Sequence, residues 1–448
     1  MLGNKFRGLF KSLPGKNSNS LGSRLIKGAA GSFGLRIAYT GLTLITSVIL
    51  ARLLGVTDFG VYVVVLNFAA LLRIPSTLGI DNLLVREIAV YHTDSQWRLM
   101  GGMLRWADRI VMLVSVVIAT TATGIAWGIW SSNYQMWLTF CLGMMSLPFT
   151  ALRNLKRLAM RGLNRLVTGL IPEMLIAPLL LLILVGCAYG FLGKDLDASW
   201  VWLMNIIATV ITWAISVVLL AKILPQEAMK AKPKYQPGIW LRSALPFMFL
   251  ESLQVINARA DILMLGAFKG VEAAGIYVPV NRGSQLIAFI FIAFNGVLAP
   301  IIASDYAQGK RQHLQKAVTK SARSVLLVAT PLAIGLSLGG YWYLSLFGEG
   351  FTEGQGALNI LCLGQLAIAA TCFGGLLLNM TGHERYTATS SAVSVILNVL
   401  LNAWFIPLWG VEGAALATVI SLVFLNILHL FWVRKKLKIS ATALGKFV

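Results

Sequence analysis

A chain of 448 residues that is 57% hydrophobic and only 12% charged, with a mean hydropathy of +0.76, is not a soluble domain, since those carry about 25% charged residues. Its net charge of +21 would suit a nucleic-acid binder, but Lys and Arg collect in the two ends of the chain and in alternate loops. That distribution orients a multi-pass membrane protein with its basic loops in the cytoplasm, so membrane lipid replaces nucleic acid as the expected partner.

Residues 1–32 form a basic stretch rich in Gly, Ser and Asn, carrying Lys5, Arg7, Lys11, Lys16, Arg24 and Lys27. It is too long and polar for a cleaved signal peptide, and the apolar run after it spans a full helix, so a cytosolic tail lying partly on anionic lipid is expected. Twelve runs long enough for a ~30 Å hydrocarbon core follow. They fall at 33–53, 59–80, 110–130, 136–152, 166–190, 200–221, 243–267, 274–299, 323–347, 357–380, 386–407 and 412–433. Loops 153–165, 222–238 and 306–323 are basic, whereas 55–60, 191–197 and 347–356 are short and neutral to acidic. Both ends then lie in the cytoplasm. Residues 81–109 and 301–322 read as helical extensions along or below the inner surface. The chain divides into a tail (1–32), a first lobe of helices 1–6 (33–224), a Pro- and Lys-rich linker (225–238), a second lobe of helices 7–12 (239–433) and a basic tail (434–448). The class is an all-α integral membrane protein.

An internal repeat supports two halves. GVTDFGVY (Gly55–Tyr62) aligns without gaps to GVEAAGIY (Gly270–Tyr277), and each copy sits at the first outer turn of its half. Gly55, Gly60, Gly270 and Gly275 permit tight hairpins, while Asp58 and Glu272 are suited to cap helix starts. Six helices per half give both copies one orientation, with a pseudo-twofold axis along the membrane normal.

Charges inside spans cost roughly 2.5–3.5 kcal/mol each at a helix centre, so they mark function or pairing. Here they are Arg36, Arg73, Glu173, Glu251, Arg259, Asp261 and Arg282. Arg259 lies eleven residues before Gly270 and Arg282 twelve after it, which levels them at ~1.5 Å per residue. Arg36 and Arg73 fall nearer the cytoplasm on the first hairpin. One reading is a cationic path for phosphate or pyrophosphate, which guanidinium grips through its planar fork. The other is neutralisation, with Asp261 pairing with Arg282, Glu251 pairing elsewhere, and Arg36 and Arg52 snorkelling. Glu173, between Pro172 and Pro178, marks either a broken helix with a proton or sodium site or an interfacial carboxylate. Gln365, Asn379, Asn398, Asn402 and Asn426 suit interhelical hydrogen bonds, and Trp127, Trp130, Trp137, Trp200, Tyr341, Trp342 and Tyr343 suit an interfacial belt. Cys141, Cys187, Cys362 and Cys372 read as buried thiols without disulfide or metal spacing.

LARLLGVTDFGVY (Leu50–Tyr62), LGIDNLLVREIA (Leu78–Ala89), the segment Pro300–Arg323 and WGVEGAALATVIS (Trp409–Ser421) together resemble the polysaccharide-export branch of the oligosaccharide flippases. That branch sits in a superfamily with multidrug-extrusion and lipid-flipping transporters. The resemblance implies two six-helix lobes in a V around a cavity lined by helices one, two, seven and eight. It also implies a polyprenyl-pyrophosphate-linked oligosaccharide moved from the inner to the outer leaflet by alternating access, for surface polysaccharide assembly at the cytoplasmic membrane. Proton or sodium coupling and polymerase or assembly partners belong to the same expectation; no cofactor does. A cation-coupled drug exporter of the same fold is the competing reading, although its cavity would favour acidic residues. A membrane-embedded polymerase or ligase would need a sizeable catalytic outer loop, and none is present in the expected topology.

Overall fold

The computed structural model describes residues 21–130, 133–443 and 445, among which the regular structure is entirely helical. Lys5, Arg7, Lys11 and Lys16 of the expected tail lie outside the described residues. The first half holds α1 (Leu21–Thr77), α2 (Ile80–Thr93), α3 (Trp97–Trp130), α4 (Tyr134–Met145) continuing as α5 (Leu147–Gly162), α6 (Leu166–Ile171), α7 (Ala177–Leu192) and α8 (Ala198–Ile223). A single linker turn, α9 (Gln226–Lys230), leads to α10 (Pro237–Phe268), α11 (Val271–Ala307), α12 (Arg311–Leu338), α13 (Gly340–Ser345), α14 (Gln355–Ala369), α15 (Gly374–Met380) and α16 (Glu384–Leu437).

Nine described helices are long and apolar enough to cross a membrane, ten when the α14–α15 pair, bent by 46°, is one span. Two are too long for one crossing. At ~1.5 Å per residue α1 and α16 would each exceed ~80 Å, against a ~30 Å hydrocarbon core. Both break at a glycine with positive φ: Gly55 (φ 72°) and Gly410 (φ 54°). Only glycine takes that conformation cheaply. Across the second break Ser394 and Asn398 bond Ser421, so the arms fold back on each other. Side chains from both arms of α1 line a single cavity. Counted arm by arm, the architecture is consistent with twelve spans.

Helix starts are set locally. The Asn133 side chain accepts from the Met136 N–H at 3.0 Å, and Asp197 from the Trp200 N–H at 3.0 Å, each meeting a donor the helix leaves unpaired. Trp127, Trp200, Tyr341 and Trp342 are exposed, as a belt requires, whereas Tyr343 turns inward and donates to the Pro279 carbonyl at 3.0 Å.

Two apolar cores organise the packing. The smaller joins α2, α3 and α5 with Trp240 and Ala244 of α10, and the Trp240 indole donates to the Tyr91 hydroxyl at 3.0 Å. Further along α10, Ile262 and Leu265 enter the larger core. α10 thus bridges both halves, and packing does not divide at the linker. The linker itself is held down: the Lys234 N–H donates to the Arg98 carbonyl at 2.9 Å, and Gly102 leaves room for the Lys234 backbone.

Three expectations need correction here. Arg434, Lys435 and Lys436 belong to the last turn of α16 rather than to a tail. The residues after it are docked: Gln315 exchanges two 2.7 Å bonds with the Ser440 backbone, and Ile439 and Ala441 are buried. Among the cysteines only Cys362 is buried, and Cys187 is exposed, because α7 turns that side outward.

Candidate functional site

The α1 hairpin, α5, the α6–α7 pair, α8, α10 and α11 enclose a cavity of about 650 Å³. Five arginines line it, Arg73, Arg153, Arg157, Arg259 and Arg282, and Glu173 is its one lining carboxylate among the described residues. Distance from the Gly55 and Gly270 turns sorts them into two layers.

The layer nearer those turns holds Arg259 and Arg282. Arg259 donates to the Asn67 carboxamide oxygen at 3.1 Å, and Asn67 is buried. Neither arginine has a carboxylate in ion-pair range among the described residues. The expected levelling of these two on either side of Gly270 agrees with their common place on the cavity wall. The expected neutralisation by Asp261 does not occur. Two residues along an α-helix is about 200° of rotation, so Asp261 points away from Arg259 into the second half. There it is buried and accepts from Asn402 at 2.7 Å, Thr418 at 2.5 Å and Tyr277 at 3.2 Å, with no cation paired to it among the described residues. The Asn402 carboxamide oxygen beside it has no hydrogen-bond partner among the described residues.

In the second layer Arg73, eighteen residues from the Gly55 turn, lies about 10 Å deeper than Arg259 and Arg282, and Arg153 and Arg157 line the cavity from α5. Arg73 sits between two carboxylates, Asp81 and Glu251, each at 3.2 Å. The second bond ties α1 to α10. Arg157 pairs with Glu173 at 3.0 Å and bonds the Asn154 side chain, while Arg153 donates to Thr212 at 3.0 Å. Arg73 and Arg157 are thus paired with three carboxylates, while Arg153 rests on a hydroxyl. Glu173 lies on the cavity wall within a π-helical turn, Pro172–Ile176, a local widening of the helix next to Pro172 and Pro178. The helix is not broken there: it runs on through the π-helical turn into α7. Arg157 Nε nevertheless keeps no hydrogen-bond partner among the described residues.

Arg36 is exposed and does not line the cavity, a correction to its placement among the cavity cations. Arg52 does not snorkel: it caps the end of α13, bonding the carbonyls of Leu346 at 2.6 Å and Ser345 at 3.1 Å. Arg153 and Arg157 were placed in an inner loop by sequence reasoning, because a basic run seemed to end the fourth span. The signal that finds them is their i, i+4 spacing, which puts both on one face of a helix that runs on to Gly162. At the turns, α11 starts without a side-chain cap, so Glu272 is not a cap; it accepts instead from the Thr57 hydroxyl at 2.7 Å.

The chain matches the family described as "Polysaccharide biosynthesis protein" over residues 25–304, and the MatE family over 246–404. It is 22% identical to the "Probable flippase AglR" of Haloferax volcanii, over 91% of this chain and 83% of that one. It is 19% identical to the "Probable low-salt glycan biosynthesis flippase Agl15" of the same organism, over 89% and 80%. Two solved structures share its fold. One is titled as the inward-facing conformation of a multidrug resistance MATE family transporter (TM-score 0.72, 13% identity, 89% of this chain and 94% of that one), the other as the lipid II flippase MurJ, inward closed (TM-score 0.70, 14% identity, 91% and 87%). The family match covers more than half of the chain, so the chain belongs to the polysaccharide biosynthesis protein family.

Proposed function

We propose that the protein flips a lipid-pyrophosphate-linked oligosaccharide from the inner to the outer leaflet of the cytoplasmic membrane by alternating access, with both ends of the chain in the cytoplasm. One observation carries the reading: the Arg259–Arg282 layer presents two guanidinium groups to the cavity with no paired carboxylate among the described residues. Two such groups match the two charges of a pyrophosphate diester, and charge-assisted bonds of this kind contribute about 1.5–3 kcal/mol each. The named glycan-flippase relatives support a glycan cargo. Asn67, Asn205, Asn281 and Gln285 line the same cavity and offer donors and acceptors to sugar hydroxyls. A drug exporter acting on cations would be repelled by this lining, so the competing reading finds no support in the site. Outward movement of an anion is favoured by roughly 2.3 kcal/mol per charge per 100 mV when the cytoplasm is negative.

Asp261 is assigned to coupling rather than to cargo. Its buried carboxylate, three donor side chains and the adjacent orphaned Asn402 oxygen suit a proton or a small monovalent cation. The test of function is deletion followed by extraction of lipid-linked intermediates. Accumulation on the inner leaflet supports the proposal. Wild-type levels of intermediates and of surface polysaccharide would refute it.

A further inference from the structure

The repeat that marks the two halves also makes a contact between them. Thr57 and Glu272 are 215 residues apart, the same offset that aligns the two copies, and the Thr57 hydroxyl donates to the Glu272 carboxylate at 2.7 Å. Around this bond the approach is reciprocal. A methyl group on Gly60 would land on the Val271 carbonyl oxygen. One on Gly275 would stand 2.8 Å from the Val56 carbonyl oxygen and 3.0 Å from Gly60 Cα. Gly60 corresponds to Gly275, and Val56 to Val271. Residue i meets j and the equivalent of j meets the equivalent of i, which is the signature of a twofold-related contact.

Each position of the motif has its own task. The first glycine turns the chain (Gly55, φ 72°; Gly270, φ 91°). The sixth lets two backbones touch across the axis. The eighth, a tyrosine, anchors each copy in its own half: Tyr62 accepts from Asn205 at 3.2 Å, and Tyr277 donates to Asp261 at 3.2 Å. The same end of the molecule is buttressed by Phe59 against Phe351, ring centroids 5.7 Å apart, and by Arg52 on the carbonyls of Ser345 and Leu346.

We propose that Gly60 and Gly275, with the Thr57–Glu272 bond on the axis, form a separable seal that closes one end of the cavity, and that this seal parts when the halves swing to open that end. On the axis the contact is backbone against two glycines, and for it to part Phe59 must leave Phe351 and Arg52 must leave the Ser345 and Leu346 carbonyls. Tyr62 and Tyr277 keep each copy with its own half as it does. Release of an anionic cargo on that side therefore waits on a contact that one added methyl group would wedge.

The test uses the full-length protein with its four native cysteines replaced, in right-side-out vesicles. Ser47→Cys lies on the cavity wall and is buried, so it reports access from the sealed end. The expected result is slow labelling by a membrane-impermeant thiol reagent, rising about tenfold when Gly60→Ala or Gly275→Ala is added. A second arm introduces Thr57→Cys with Glu272→Cys. Oxidation should cross-link them, suppress Ser47→Cys labelling and halt surface polysaccharide assembly, all reversed by reductant. Unchanged labelling in both glycine variants at normal protein levels would overturn the seal, as would full transport by the cross-linked protein. Only the polysaccharide readout rests on the flippase reading. If labelling responds while no polysaccharide depends on the protein, the seal stands and the cargo assignment falls.

Discussion

The two arginine layers of the cavity use one residue type for opposite ends. In the deeper layer Arg73 meets Asp81 and Glu251, Arg157 meets Glu173, and Arg153 bonds the Thr212 hydroxyl; Arg73 joins helices of both halves. In the layer nearer the turns Arg259 and Arg282 meet an amide and open space. A buried guanidinium flanked by carboxylates is structural, because its charge is already spent on neighbours. One left to an amide holds its charge for something else. Exposure does not separate the two layers, since both are half-buried. Pairing with a carboxylate does, for every arginine but Arg153.

Charge reversal should break the contrast most strongly. Arg259→Glu or Arg282→Glu is expected to abolish surface polysaccharide export at normal protein levels, and Arg→Ala at either position to reduce it by roughly 10–100-fold, the loss of one charge-assisted contact. In the deeper layer the effect should fall on stability instead. Arg73→Ala leaves Asp81 and Glu251 without their cation, at a cost of about 3 kcal/mol, read as a lower Tm in detergent. The triple variant Arg73→Met, Asp81→Asn, Glu251→Gln should recover most of it. If the triple variant is no more stable than the single one, the layer is not a paired unit. Glu173→Gln should act in the other direction: it releases Arg157 towards the cavity and strengthens binding of an anionic lipid a few-fold, by about 1 kcal/mol. Arg36→Ala should change neither export nor Tm beyond about 0.5 kcal/mol, being exposed and outside the cavity.

Much of this was legible from the residues. The hairpins at Gly55 and Gly270, and a common depth for Arg259 and Arg282, follow from residue counts, because rise per residue is nearly constant along a helix. What depth alone omits is direction around the axis. Asp261 was matched to Arg282 by level, although its 200° rotation from Arg259 sends it into a different neighbourhood. Arg153 and Arg157 were lost for a related reason: hydropathy ended the span where an amphipathic helix continues, and their shared face shows only when the pair is read with helical periodicity. Glu251, singled out as a charge in an apolar run, could not be given a partner from sequence, since Arg73 is remote in the chain and reaches it only through packing of the two halves. The reciprocal glycine contact was likewise out of reach, although its motif was in plain view as a repeat.

The most direct measurement is the affinity of the purified protein, in lipid nanodiscs, for a short polyprenyl diphosphate. The account predicts a loss of about 100-fold or more in the Arg259→Ala, Arg282→Ala double variant, with little change in the Arg73, Asp81, Glu251 triple variant. Equal affinity in the wild type and the double variant, or a loss confined to the triple variant, would contradict it.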